Sequence, residues 1–494
     1  MPIVLDDEYY VLVHLSSEKC WNQLFDLCKS CLNLDDEKNH KSDATKIREY
    51  LQNVAKSVLV ERNYHDKDYR DTYYNYYSKK FAVYPSRCLR LNFFDVEIPP
   101  NELFDLSSFN KNYIGYIIIR PTRVRTIGRT VLNPGKIDFI KGFIPTSTYK
   151  THLLGTPMEI DGFPYISQDS DVTICAHAAC WMVFRHFSER YSLYGEKGPY
   201  QITQMTHDIS QGRLVPSKGL TIGQVTEIFS EFGFYPLVYF LEQFEEKDKS
   251  LGADKFKRLL YYYVESGLPV VAGLSSKEHA ITVIGHLPPR KKKVGEKIKS
   301  TAETIPGYII NDDNHMPYQA LWDRNSVPNV HSSDYRVKHI DRFVVPMYEK
   351  IYLSAEYIED LVAEYLDPKA KFQPENFGVP LNDLATRIFL TSSRSYKRFR
   401  VDHPIPNGVD WIYRQMPMPK FIWVAELSTN TLFSKNKIIG EILIDATASP
   451  RDPLAFLSIH FPKRLFINNR DSDDGNSGED YNLQIGRASC RERV

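Results

Sequence analysis

The order of periodicities between residues 175 and 311 constrains the fold most. Cys175–Tyr191 places Ala179, Val183 and Phe187 at four-residue steps, which marks a helix with one apolar face. Thr221-x-x-Gln224 is a capping-box signature that opens a second helix, running to Phe232 and stopped by Gly233. Tyr235–Phe240 then reads as a strand and Asp254–Ser266 as a helix ending at Gly267. Pro269–Leu274, His279–Gly285 and Gly307–Asn311 read as three further strands. The mixture is that of an α+β protein. The polar connection 287–306, with Arg290-Lys-Lys-Lys293, Lys297 and Lys299, reads as a solvated hairpin tip rather than a dock for an anionic partner.

A chain of 494 residues exceeds one ordinary domain. Residues 1–150 are expected to form an N-terminal mixed α/β region. It opens with a strand at Tyr9–His14 and a helix near Cys20–Cys31. A second helix, capped by Asp43, carries Ile47, Leu51, Val54 and Val58, and strands follow at Leu91–Ile98 and Tyr113–Arg120. Residues 151–335 are expected to form the core, and 336–465 a C-terminal α/β extension. The extension shows a strand at Arg342–Tyr352, a helix after Ser354, and strands near Phe421–Leu427 and Lys437–Asp445. Residues 466–484 turn polar and read as a flexible tail. Residues 485–494 resemble the translation of a sequencing adapter, and with Cys490 they are set aside as a non-native tail.

Lysine plus arginine (62) balances aspartate plus glutamate (62), so there is no global field of either sign and no expectation of nucleic-acid binding. No signal peptide is visible behind Asp6, Asp7 and Glu8. The apolar run Tyr113–Ile119 is far short of the ~20 residues a membrane helix needs. The chain reads as soluble and cytoplasmic, with no membrane partner. The seven cysteines lack a disulfide rhythm. Cys28-x-x-Cys31 has no partner pair, so no metal and no cofactor are expected. The tyrosine clusters at 73–77 and 261–263 read as packing residues.

A nucleophilic cysteine needs a stabilised thiolate, a base within reach and donors for the oxyanion. Cys175 stands where the polar loop Gln168-Asp-Ser-Asp171 gives way to a helix, whose N-terminus favours a thiolate. Asp171 or Thr173 could cap that helix, and Cys180 should be buried and inert. His177 diverges too far from Cys175 on a helix to share a metal with it. His279 leads a β-branched strand, whereas His286, seven residues on, should face the other side. Gly307-Tyr-Ile-Ile-Asn-Asp312 delivers an acidic or amide residue at a strand end.

Three pieces, Gln168…Cys175-Ala-His-Ala-Ala-Cys-Trp181, Glu278-His279-Ala-Ile-Thr-Val-Ile-Gly285 and Gly307–Asp312, together resemble papain-like cysteine peptidases. The resemblance is closest to the bacterial branch that includes the bacteriocin-leader peptidases, and it covers about a third of the chain. It implies a papain-like core in which the cysteine helix packs on an antiparallel sheet carrying His and Asp. It implies Cys175 as nucleophile, His279 as base, and Asp312 as the orienting group, with Asn311 and Asp313 competing. Gln168 would be an oxyanion donor. The implied activity is cleavage of a peptide or isopeptide bond in a peptide or protein substrate. The alternative is a catalytically inactive scaffold that binds peptides or proteins.

Overall fold

The computed structural model describes residues 3–32, 37–137, 141–245, 249–291, 295–324, 331–405, 408–433, 435, 437–452, 455–468, 478–482 and 491–492. The protein is α+β with several antiparallel sheets. It forms two compact units. The first comprises Met1–Phe240, Pro269–Leu287 and Gly307–Pro346; the second comprises Leu241–Leu268, Pro288–Pro306 and Met347–Val494. Residues 1–150 thus share a unit with most of 151–335. Among the described residues no helix is long and apolar enough to cross a membrane.

The first unit opens with β1 (Ile3–Asp6), β2 (Tyr10–His14), β3 (Ser57–Tyr64), β4 (Cys88–Phe94), β5 (Tyr113–Ile119) and β6 (Ile127–Leu132). These six pair in chain order, every neighbour antiparallel. Helices α1 (Glu18–Leu32) and α2 (Glu37–Leu51) join β2 to β3, and α3 (Lys67–Asn75) joins β3 to β4. β5 is buried along its whole length, which accounts for its continuous apolar sequence. A hairpin, β7 (Ser147–Leu153) and β8 (Thr156–Gly162), alternates buried and exposed residues. Its inner face places Tyr149, Leu153, Met158 and Ile160 in one core with Leu12, Leu59 and Ile118. Tyr69 and Tyr77 are buried in the same core.

The second sheet of this unit follows α4 (Cys175–Arg190), α5 (Pro199–Gln204) and α6 (Ile222–Phe232). Its strands are β9 (Leu237–Phe240), β10 (Val270–Leu274), β11 (His279–His286), β12 (Gly307–Asn311), β13 (Gln319–Trp322) and β14 (Arg342–Val345). They run in the order β13-β12-β11-β10-β14-β9, all antiparallel. α4 packs on β11 and β10 and is buried from Ala176 to Phe187. The Thr282 hydroxyl of β11 donates to the Ala179 carbonyl at 3.3 Å, fixing the helix over the strand. α6 has the capping box and the left-handed Gly233 that its sequence predicts.

Gly285 in β11 admits the chain from residue 143 to the sheet. A Cβ there would stand 1.9 Å from the Phe143 carbonyl oxygen, where Phe143 and His286 exchange backbone hydrogen bonds of 3.0 and 3.1 Å. Gly285→Ala is expected to destabilise the first unit by about 1–3 kcal/mol through the forced backbone shift. The measurement is the urea midpoint; an unchanged midpoint refutes the requirement.

The second unit contains α7 (Leu241–Glu245), α8 (Lys249–Glu265), α9 (Ala355–Tyr365), α10 (Ser393–Asp402) and α11 (Val409–Gln415). Its strands are β15 (Leu384–Ser392), β16 (Phe421–Thr429), β17 (Lys437–Ile438), β18 (Gly440–Asp445), β19 (Phe456–Phe461), β20 (Arg464–Asn468) and β21 (Gly478–Asn482). They form the antiparallel sheet β15-β16-β18-β19-β20-β21, while β17 pairs with residues 491–492. A buried ion pair crosses the core of this unit. Arg400 and Glu441 are 3% and 0% exposed, and the Tyr396 hydroxyl donates to Glu441 at 2.9 Å.

Several expectations change. Residues 288–306 belong to the second unit; Lys291, Lys297 and Lys299 are exposed as expected, but the segment is not solvated throughout. Ile298, an apolar residue among the lysines, is buried with Ala385 and Phe433, and its N–H donates to Asn430 Oδ1 at 2.9 Å. Lys292 and Lys293 lie outside the described residues. Asp43 does not cap α2, which starts at Glu37; its Oδ2 instead accepts the Thr126 N–H and hydroxyl at 2.7 and 3.0 Å. Residues 466–468 and 478–482 of the expected tail are in β20 and β21, because the run Leu465-Phe-Ile467 supplies a strand face. The rest of that tail, and 485–490 with 493–494 of the set-aside segment, lie outside the described residues. The strand expected over Arg342–Tyr352 ends at Val345, one residue before Pro346.

Candidate active site

Cys175 is the first residue of α4 and is partly exposed. The loop before it is built on Asp169. Its Oδ1 accepts the N–H groups of Asp171, Val172 and Thr173 at 3.1, 2.8 and 2.8 Å. The Thr173 hydroxyl in turn accepts the Asp169 N–H at 3.0 Å. Both expected caps are thereby displaced: the N-cap is Ile174, which offers no side-chain hydrogen bond. Helix geometry leaves the N–H groups of Cys175, Ala176 and His177 without intrahelical acceptors. An uncapped helix start beside a thiol is a local concentration of donors and positive dipole.

β11 and β12 bring the other two groups to this point. Thr282 pairs with Asn311, so His279 and Asp312 fall at the same end of the strand pair. His279 Nε2 lies 3.0 Å from Asp312 Oδ1. Burial pulls the imidazolium down, but hydrogen bonding to Asp312 and to Cys175, together with the charges of Asp312 and Asp313, raises its pKa to about 10. Burial also works against the Asp312 carboxylate, yet the His279 hydrogen bond and charge hold it below its ordinary value. Nε2 is engaged by Asp312, which leaves Nδ1 as the ring atom that can meet the thiol.

The competing residues separate by geometry. Asn311 is buried, giving its Nδ2–H to the Pro164 carbonyl at 3.2 Å and accepting the Tyr318 N–H at 2.9 Å. It does not reach the imidazole. Asp313 does approach, with Oδ1 at 3.7 Å from His279 Nε2, too long for a hydrogen bond. Burial and the neighbouring Asp312 charge push the Asp313 carboxyl up to about 7. His286 is buried against Phe143, with ring centroids 5.7 Å apart. His177 is buried, and burial lowers its pKa to about 4. Burial likewise pushes the Cys180 thiol up.

Gln168 reaches the same cluster through Asn314. Its Nε2 donates to Asn314 Oδ1 at 3.2 Å, and Asn314 Nδ2 lies 3.3 Å from His279 Nε2. The Gln168 amide is therefore committed to a neighbour of the imidazole. Asn314 also gives its N–H to Asp312 Oδ1 at 3.0 Å, fixing the turn that carries the carboxylate. Tyr335 covers the ring, its centroid 5.4 Å from that of His279. Asn314 was readable as part of the polar string Asp312-Asp-Asn-His315 behind an apolar strand. Tyr335 had no sequence signal, because its place depends on the chain returning to the sheet.

Among the described residues, the groups that could hold a cation are His279, Asp312 and Asp313, with one ligand atom from each lying within 4.8 Å of the others. The CxxC cysteines do not share an environment, since Cys28 is buried and Cys31 is exposed. No family model matches the chain, and neither a curated protein nor a solved structure matches it.

Proposed function

We propose that the protein is a papain-like cysteine hydrolase that cleaves a peptide or isopeptide bond through Cys175, His279 and Asp312. The observation that carries this reading is the His279 ring held by Asp312 through Nε2 at 3.0 Å, with the Cys175 side chain hydrogen-bonded to the same ring. His279 Nδ1 takes the thiol proton, and the thiolate attacks the substrate carbonyl carbon. The oxyanion forms beside the N–H of Cys175 at the uncapped start of α4. Nδ1–H then protonates the leaving amine, giving a thioester. Water, deprotonated by Nδ1, hydrolyses that thioester and releases the thiolate. Asp312 fixes the ring orientation and stabilises the imidazolium each time it forms. Among the described residues Cys20, Cys28, Cys88 and Cys175 are free thiols, which fits work in a reducing compartment such as the cytoplasm.

The test is the rate of Cys175 alkylation by iodoacetamide between pH 4 and 9. Alkylation is expected to persist at pH 6, where an unassisted thiol is almost wholly protonated, and to fall at least about tenfold there in His279→Ala. A profile indifferent to His279 refutes the pair and leaves the non-catalytic binding scaffold as the better reading.

A further inference from the structure

The His279–Asp312 pair is not the whole of the cluster. Asp313 is 2% exposed, and neither of its carboxylate oxygens has a hydrogen-bond partner. Asp312 is fully buried, and its Oδ2 also lacks one. Two adjacent carboxylates kept from water with three unpartnered oxygens are costly to hold unless something positive meets them. One donor atom from each of the three residues lies within 4.8 Å of the others; the oxygens that approach His279 Nε2 are Asp312 Oδ1, which the ring already engages, and the unpartnered Asp313 Oδ1. Ligand atoms bound at about 2.0–2.2 Å to one ion stand about 3–3.5 Å apart. The observed separations of 3.0 Å for Asp312 and 3.7 Å for Asp313 from Nε2 bracket that range. A fourth donor borders the cluster on its solvent side. His315 Nε2 is 4.0 Å from Asp312 Oδ2, and its side chain is 34% exposed.

We propose that His279, Asp312 and Asp313, completed by His315, form a binding site for a divalent transition-metal ion of the zinc class, and that the bound ion holds the Cys175–His279 pair inactive. Mixed imidazole and carboxylate donors suit this class better than calcium or magnesium, which take all-oxygen sets. The ion occupies the position of the proton that Nε2 shares with Asp312, and that proton leaves to solvent. The ring then keeps a single proton, on Nδ1. Giving it up would create a metal-bound imidazolate, so the ring no longer serves as the acid that protonates a leaving amine. This second half rests on the hydrolase reading; ion binding itself does not.

The experiment is titration of the full chain with Co2+, followed by its visible d–d absorption. Saturable bands are expected in the wild type and unchanged in Cys175→Ser. Asp313→Asn should abolish them, and His315→Gln, at a partly exposed position, should weaken binding at least about tenfold. Absence of bands overturns the proposal. So do bands that survive both Asp313→Asn and His315→Gln, or a thiolate-to-cobalt charge-transfer band that disappears in Cys175→Ser, which would make the cysteine the ligand. Co2+ bound as expected beside a Cys175 that is indifferent to His279 would keep the metal site while refuting the hydrolase.

Discussion

Asp312→Asn is expected to bring the His279 pKa down from about 10 to below the ordinary imidazole value and to slow Cys175 acylation by roughly 10²–10⁴-fold at pH 7. In the native protein, burial opposes the imidazolium and the carboxylate overrides it. An amide keeps the shape but not the charge, so burial acts with less opposition. The sign follows directly. The imidazolium is present below about pH 10 and is lost as pH rises through that value; in the variant the loss moves below neutrality. An amide can also donate to Nε2, which forces the remaining proton onto Nδ1 and removes the acceptor that the thiol needs. The direct measurement is a ring-proton NMR titration on histidine-labelled protein. Asn311→Ala is the control, because Asn311 faces Pro164 and Tyr318 and should leave the titration where it was. An unmoved His279 titration in Asp312→Asn refutes the pairing.

Glu441→Ala is expected to destabilise the second unit by about 3–5 kcal/mol, because it strands the Arg400 guanidinium without its counter-charge. Arg400 and Glu441 are 3% and 0% exposed, and the Tyr396 hydroxyl loses its acceptor in the same change. Replacing both members by apolar residues of similar volume should be nearly neutral or stabilising, since the desolvation of two charges is removed with their attraction. Hydrogen exchange across β16 and β18 separates the two variants. Equal protection loss in both would show that packing, and not an unpaired charge, sets the cost.

What was legible in the sequence had a local cause. Thr221, Gln224 and Gly233 set the ends of α6 by their own hydrogen bonds and left-handed backbone, and Gly307–Asn311 is a strand with the expected bounds. The placement of Cys175 at a helix start and of His279 at a strand start followed from periodicity. The pairing of His279 with Asp312 instead of Asn311 was not decidable locally, because it depends on which way β12 turns as it ends. The caps failed at Asp171 and Thr173 because Asp169 folds the loop on itself before the helix begins. Residues 288–306 were misread in part because charge dominates their composition, while Ile298, Ser300, Thr301 and Thr304 are buried. Asn314 lay in the legible polar string after β12, whereas Tyr335 reaches the imidazole through tertiary structure that no local pattern encodes.

The interleaving of the two units has a consequence for the order in which a ribosome delivers this chain. Cys175, His279 and Asp312 all emerge before residue 346, whereas every strand of the second unit's sheet emerges after residue 383. Segments 241–268 and 288–306 interrupt β9, β10, β11 and β12, yet they must wait for that later sheet. The nascent Cys175–His279–Asp312 cluster is therefore interrupted by two stretches whose partners have not yet been made. A truncation after residue 346 would freeze that state, so separating the units requires excising 241–268 and 288–306 and bridging each gap.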